Sequence, residues 1–380
     1  MKNAYDVIVI GIGGVGSAAL YHLAQRNIKV LGLDRFPPGH DRGSSHGRTR
    51  VIRQAYFEHP DYVPLLLRAY DLWEELSQRC GKQLYHEIGL LQIGPPDGHI
   101  VPGVLKAAEQ HGLSIDRLTV PQAMSCFPAF RAPREWEAVF EQRAGYLNVE
   151  DCVRAHCNEA QKQGVELRTG VEVSGWSASD TGVSVDTNAG KFSAGKLVIA
   201  AGPWANRFVS GLGISLQVQR KVVFWYPIQN DALRADRGCP AYLFDTPECP
   251  YGIPQLDDYG FKIAEHSVAK EEHAIADPLT VNRRLNPSEQ ACVEKFLSIH
   301  IPDVGRPLLH HSVCLYTMSP DENFIVDVHP QYPQVAFAAG LSGHGFKFSC
   351  VLGEILADLA ITGRTLHPIG FLNCRRFGTV

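Results

Sequence analysis

The stretch "YDVIVIGIGGVGSAALYHLAQRNIKVLGLDRF", residues 5–36, constrains this chain more than any other. Val7 to Ile10 are apolar and β-branched throughout, the pattern of a central parallel strand covered on both faces. A helix-type stretch from about Val15 to Arg26 follows, then a second strand over Val30 to Leu33 that ends in Asp34. This is one strand–helix–strand unit, and Gly11, Gly13 and Gly16 stand at its first turn in the spacing G-x-G-x-x-G. Gly11 allows the tight turn, Gly13 lets the backbone approach a pyrophosphate, and Gly16 lets helix and strand pack closely. Gly14 lies in the same turn. The helix N-terminus offers unpaired N–H donors and partial positive charge to phosphates. Asp34 closes the second strand where a carboxylate can hold ribose hydroxyls, and Arg35 follows it. The pattern predicts a bound dinucleotide. It leaves NAD and FAD open, because both carry an ADP half.

Two later stretches repeat the α/β pattern. The first is "VRAHCNEAQKQGVELRTGVEVSGW", which contains Val173, continued by "KLVIAAGPWANRFV". The second is "QVAFAAGLSGHGFKFSCVLGEILADLAITG". Between these pieces, strand-like stretches such as "KVVFWYPI" and "YGFKIAEHS" suggest a second, mostly antiparallel layer. The expected fold class is α/β (α+β overall), with a Rossmann-type domain over residues 1–85, 146–215 and 306–380. A second, mainly antiparallel-sheet substrate domain is expected over 86–145 and 216–305.

Bulk properties exclude several classes. A net charge of −4 over 380 residues gives no reason to expect a nucleic-acid or anionic-membrane partner. No apolar run approaches the roughly 18 residues of a spanning helix. The 10 cysteines, in a long chain with no signal-peptide pattern, point to reduced thiols in the cytoplasm. No cysteine pair has zinc-type spacing backed by a second pair, so no metal is expected.

The distant "AAGPWANRF", with Ala201, Gly202 and Trp204, and "GLSGHGFKFS" argue for FAD over NAD. A flavin ring needs a second anchor, often a helix N-terminus near its pyrimidine edge, where negative charge gathers on reduction. Gly343, His344 and Gly345, opening a helix near Lys347, could supply it; an ordinary tight α/β turn is the alternative.

Taken together, "GIGGVGSAALYHLA", "GSSHGRTRVIRQAY", "AGPW", "YGFKIAEH", "CLYTMSPDENFIVD" and "GLSGHGFKFS" make the whole chain resemble one family. It is the monomeric sarcosine oxidase and N-methyltryptophan oxidase family, to which the peroxisomal sarcosine/pipecolate oxidases are related. The resemblance implies a glutathione-reductase-2-like, D-amino acid oxidase-like fold. It also implies FAD and the oxidation of a small secondary amino acid to an imine, with oxygen reduced to hydrogen peroxide. By the same resemblance, Cys314 bonds covalently to the 8α-methyl group of the flavin, and Tyr316 borders the ring. Ser44, His46 and Arg50 lie beside the flavin. Arg53 and Lys347 bind the substrate carboxylate, and Lys262 promotes oxygen reduction. His266 and Tyr251 line the substrate cavity, near Gly343. A monomer is implied. Where this chain has Arg48 the bacterial family usually has an aspartate, so no role carries over to that position. The C-terminal "RRFGTV" lacks the Ser-Lys-Leu type of peroxisomal address. A dehydrogenase with a non-oxygen acceptor and an oxidase for a larger pipecolate- or N-methyltryptophan-type substrate are the competing readings, with a non-catalytic flavin binder as a third.

Residue chemistry supports several of these roles. A substrate carboxylate entering a desolvated site needs charged partners, and an Arg fork with a Lys provides them. The alternative for Arg50 and Arg53, three residues apart, is a solvated basic helix face. Cys314 and Tyr316 share one face of a strand by its period of two; for the cysteine alone, simple packing is the alternative. Lys262, Ala264 and His266 likewise share a face. For the lysine the alternative is a charge on an edge strand. His266 reads as a polar pocket wall rather than a general base.

Overall fold

The computed structural model describes residues 5–266 and 274–378; residues 1–4, 267–273 and 379–380, including Ser267 of "YGFKIAEHS", lie outside the described residues. The opening β-branched run forms the strand Tyr5–Ile10, whose last four residues are buried. The glycine turn leads into the helix Gly14–Ala24, every residue of which is buried, and then into the strand Val30–Leu33. The helix starts and ends slightly earlier than its apolar pattern suggests. Such ends are set by capping geometry more than by the apolar period.

Five strands form a parallel block in the order Tyr332–Ala339, Gly190–Ile199, Tyr5–Ile10, Val30–Leu33 and Glu166–Arg168. Antiparallel strands Val173–Ser179, Gly182–Thr187 and Ile325–His329 complete an eight-stranded sheet. The helices Gly14–Ala24 and Ser349–Thr362 share one apolar core with Trp73, Tyr56 and Tyr62. Burial of side chains of this size contributes about 1.5–3 kcal/mol each, which fixes the helices on the sheet.

A second eight-stranded sheet is antiparallel except for one parallel pair, Ala241–Phe244 beside Leu90–Gly94. The strand Phe261–Glu265 lies inside it, between Gln217–Tyr226 and Pro250–Ile253. The strand His310–Met318 carries Cys314 and pairs along its whole length with Gln217–Tyr226. The chain therefore visits the second sheet once more before returning to the first at Ile325. A small third sheet joins Thr49–Ile52, Gly145–Asn148 and Tyr85–Glu87. Its first strand carries Arg50 and delivers Arg53 just beyond its end.

Candidate active site

An extended cavity opens at the carboxyl ends of four parallel strands, at Gly11, Asp34, Ala200 and Gly340. Ligands of open α/β sheets bind at such ends. Its wall includes Gly13, Gly14, Arg35, Val173, Ala201, Gly202 and Trp204. Ser44, Arg50, Tyr316, Gly343 and Gly345 border the same space. Gly16 is not part of the wall: a Cβ there would meet the Gly11 carbonyl oxygen at 1.8 Å, so its role is to seat helix on strand. Asp34 is held at both oxygens, accepting the Ile12 amide at 2.6 Å and the Phe36 amide at 2.8 Å. Burial pushes its carboxyl pKa up. Gly343, with φ +81°, lies flat against Tyr316; a Cβ there would be 2.3 Å from the ring.

Cys314 is buried just outside this wall, its Sγ 3.3 Å from Arg50 Nη2 and 3.9 Å from His46 Nδ1. Burial alone would raise the thiol pKa, but the pull of His46 and Arg50 brings it down to about 6. The other buried cysteines, Cys152, Cys157, Cys239, Cys350 and Cys374, are pushed upward by burial. Cys314 is thus set apart by its neighbours. Low thiol pKa marks nucleophilic rather than packing cysteines.

Arg50 sits in a strand and Arg53 directly after it, and Arg53 is buried. The solvated helix face is therefore excluded. The Arg53 guanidinium lies between the rings of Tyr56 and Phe57, at 4.3 and 4.4 Å from their centres. Its Nη2 donates to Glu58 Oε1 at 2.6 Å, while Arg53 Nη1 and Glu58 Oε2 have no hydrogen-bond partner among the described residues. Lys347 Nζ donates to the His344 carbonyl at 3.0 Å and to the Tyr56 hydroxyl at 3.4 Å. Burial, with Arg53 adding to it, lowers its pKa to about 7. For Glu58 burial works upward, but Arg53, His344 and Lys347 hold it down at about 2. His344 is wedged between the Tyr56 hydroxyl at 2.7 Å and the Glu322 carbonyl at 3.1 Å, and does not reach the long cavity.

His266 Nδ1 is 3.3 Å from the Tyr316 hydroxyl, and Tyr251 meets the His266 ring edge-on at 6.0 Å. Burial drives the imidazole pKa down to about 3. A ring held neutral by its burial is a poor base. Lys262 is buried at 2% exposure in the middle of the second sheet, so it is not an edge-strand charge. Its Nζ donates to the carbonyls of Gly47 and Thr49, both at 2.7 Å, and to Thr49 Oγ1 at 3.2 Å. Burial, then the repulsion of Arg50, lowers its pKa well below the usual lysine value. Three acceptors nonetheless match the three N–H groups of an ammonium.

The sequence profile of the family described as FAD dependent oxidoreductase matches residues 6–359. The chain belongs to the FAD-dependent oxidoreductase family. It is 39% identical over 382 residues to the monomeric sarcosine oxidase of Streptomyces avermitilis, covering 99% of this chain and 98% of that one. The N-methyl-L-tryptophan oxidase of Yersinia pestis is 35% identical over 358 residues, 94% of this chain and 95% of its own. The solved structure of NikD, described as an unusual amino acid oxidase essential for nikkomycin biosynthesis, superposes with TM-score 0.85 at 25% identity and covers 98% of both chains. Glycine oxidase from Geobacillus kaustophilus, at TM-score 0.79 and 21% identity with 98% of both chains covered, shares the fold.

The long cavity fits the cofactor of this family. A Cβ at Gly13 would meet only Ser45 Oγ, at 3.7 Å, so the backbone faces the cavity bare. Trp204 Nε1 is a buried donor on the cavity wall with no partner among the described residues, as expected where a polar ligand sits. Ser45, which also binds the Gly14 amide at 3.0 Å, escaped the sequence reading, as did Phe36 and His40 of the same wall. Glu58 and Tyr56 escaped it too. Glu58 had one available signal: an arginine expected to be buried before substrate arrives needs a counter-ion, and Glu58 is the first carboxylate after it.

Proposed function

We propose that this chain oxidises a small secondary or N-methyl amino acid to an imine, with dioxygen reduced to hydrogen peroxide. One observation carries the reading: Arg53 keeps an unpartnered, buried Nη1 beside Glu58, which Lys347 also approaches, a few positions along the chain from the Arg50, Gly343 and Gly345 of the cavity wall. A substrate carboxylate would satisfy that donor and draw on both cations. Bound FAD would supply the acceptor for hydride and pass the electrons to oxygen.

In this reading the protein residues divide the labour. Arg53 and Lys347 fix the carboxylate and thereby orient the C–H bond. Tyr251, Tyr316 and neutral His266 form the wall that keeps water out. Lys262 places positive charge where negative charge gathers on oxygen as it is reduced. Cys314 is the attachment point for a thioether to the 8α-methyl carbon, helped by the nearby Arg50 and His46, which favour its thiolate form. Gly11, Gly13, Gly14 and Asp34 hold the ADP half, with Gly343 and Gly345 at the ring. The expected partners are the amino acid and oxygen, and we place the protein in the cytoplasm as a monomer. Among the described residues no disulfide joins two cysteines, which suits a reducing compartment. Among the described residues no helix is long and apolar enough to cross a membrane.

A panel of N-methyl and cyclic amino acids, mixed anaerobically and then with oxygen, tests the reading. Bleaching of the flavin by one of them, followed by one peroxide per imine, is expected. Bleaching without peroxide would assign a dehydrogenase, and no bleaching at all would remove the enzymatic reading.

A further inference from the structure

Lys262 faces a second cavity of about 550 Å³, separate from the walls that hold the substrate clamp. Arg53, Lys347, His266 and Tyr251 line none of it. Its wall runs from the surface to the interior. At the surface lie Arg48 and Asp257, whose side chains are 42% and 52% exposed. At the inner end lie Trp225 and Lys262, at 3% and 2% exposure, with Lys262 Nζ 5.3 Å from the Trp225 ring centre.

The mouth is built across two sheets. Arg48 follows Gly47, and both have left-handed φ, +67° and +92°. Glu150 Oε1 accepts both of their amides, at 2.8 and 3.1 Å. This turn aims the Gly47 and Thr49 carbonyls inward at Lys262 and sends the Arg48 side chain outward. There it meets Asp257 through two hydrogen bonds, at 3.0 and 2.6 Å, and stacks on Tyr259 at 4.2 Å. A left-handed arginine is uncommon and needs the surrounding contacts to hold it. The same turn therefore sets both the cradle of the buried lysine and the ion pair at the surface. An exposed ion pair of this kind is weak and opens readily.

We propose that this cavity is the vestibule by which dioxygen reaches, and hydrogen peroxide leaves, the Lys262 side of the site, with the Arg48–Asp257 pair as its rim. The proposal rests on the oxidase reading above. Dioxygen enters neutral, gains two electrons and two protons withdrawn from the C–N unit of the amine, and leaves as hydrogen peroxide. The amine leaves as the imine. All three N–H groups of Lys262 point at Gly47 and Thr49, so the lysine acts on this traffic through its field. A separate door explains how oxygen can arrive while the amino acid or imine still fills the clamp.

Leu256 lines the vestibule from the exposed loop before Gly260 and makes no clamp contact, so Leu256→Trp is the obstructing variant. In the substrate-reduced holoenzyme its rate constant for reoxidation by oxygen is expected to fall about tenfold. Anaerobic reduction by substrate should stay within about twofold of the parent. A readout without turnover uses oxygen as a quencher of tryptophan fluorescence in the oxidised holoenzyme. The part of the quenching lost in Trp225→Phe is assigned to Trp225, and Leu256→Trp should reduce it, after correction for the new indole by a Leu256→Trp/Trp225→Phe double variant. Arg48→Ala should raise it. Unchanged quenching of Trp225 in both variants, or reoxidation as fast as the parent in Leu256→Trp, overturns the vestibule while peroxide formation by the parent leaves the oxidase reading standing. Should the parent form no peroxide with any amine, the oxidase reading fails by itself, and the Trp225 quenching still decides whether oxygen enters here.

Discussion

The buried guanidinium of Arg53 is engaged by a carboxylate of its own chain, donating to Glu58 at 2.6 Å. On the proposed reading, Glu58 competes with a substrate carboxylate for this fork. Glu58→Ala leaves the arginine unpaired and should cost about 3–5 kcal/mol of stability, read from chemical denaturation. The same variant should bind a carboxylate inhibitor at least about tenfold more tightly, since the ligand becomes the missing counter-ion, and inhibitor should restore part of the lost stability. Equal or weaker inhibitor binding with the expected loss of stability would show that Glu58 does not compete.

On the proposed reading, Lys347 should make carboxylate binding pH-dependent. Its pKa in the free protein is held near 7 by burial and by Arg53. A bound carboxylate favours the charged form, so it raises that pKa. Inhibitor affinity should be flat well below pH 7 and weaken as pH rises above it, by up to about tenfold per unit. Lys347→Met should remove this slope and weaken binding by about 1.5–3 kcal/mol at low pH. A slope that survives in the variant would move the titration to another group.

The thiol of Cys314 has the neighbours a tether requires. Acid precipitation of the parent should leave a yellow pellet, while Cys314→Ser releases the colour to the supernatant. A yellow supernatant from the parent contradicts the thioether.

Lys262→Met should slow reoxidation by oxygen about 10²–10³-fold, the size of effect seen when one preorganised electrostatic partner is lost. Reduction by substrate should change far less. Equal losses in both half-reactions would reassign the lysine to the substrate side.

How much of this was legible depends on the range of the interactions. The Gly11–Gly16 turn and Asp34 could be read because their meaning is local: one strand, one helix, one turn. Lys262 could not be separated from an edge-strand charge, since whether its strand is internal depends on pairings with residues 223–226 and 250–253. The spacing of Arg50 and Arg53 fits a helix face, and only pairing with residues 145–148 makes the segment a strand. For Cys314 taken alone packing stood as the alternative to a tether, and the neighbours that set its thiol apart lie more than 260 positions away in sequence. Arg48 carried no family meaning, and its link to Asp257 spans 209 positions.

Glu141 shows how one distant carboxylate supports the segment that follows Arg53. It is buried at the end of the strand Glu137–Glu141, and its two oxygens accept the amides of Gln54 at 2.5 Å and Ala55 at 3.1 Å. Those amides follow Arg53 and precede Tyr56, so Glu141 fixes the loop that carries both. Burial raises its pKa to about 7 despite the two amides. A carboxyl raised in the folded state contributes stability that is fully present below its unfolded pKa and is lost as pH rises toward 7. The stability difference between parent and Glu141→Gln should therefore shift against the parent between about pH 4.5 and 7 and level off above. The variant should also weaken carboxylate inhibitors, because a Gln amide turns one N–H toward a backbone N–H and releases part of the loop. Parallel stability curves over that range would show that folding leaves the Glu141 pKa unshifted, and unchanged inhibitor affinity would show that the loop does not need it.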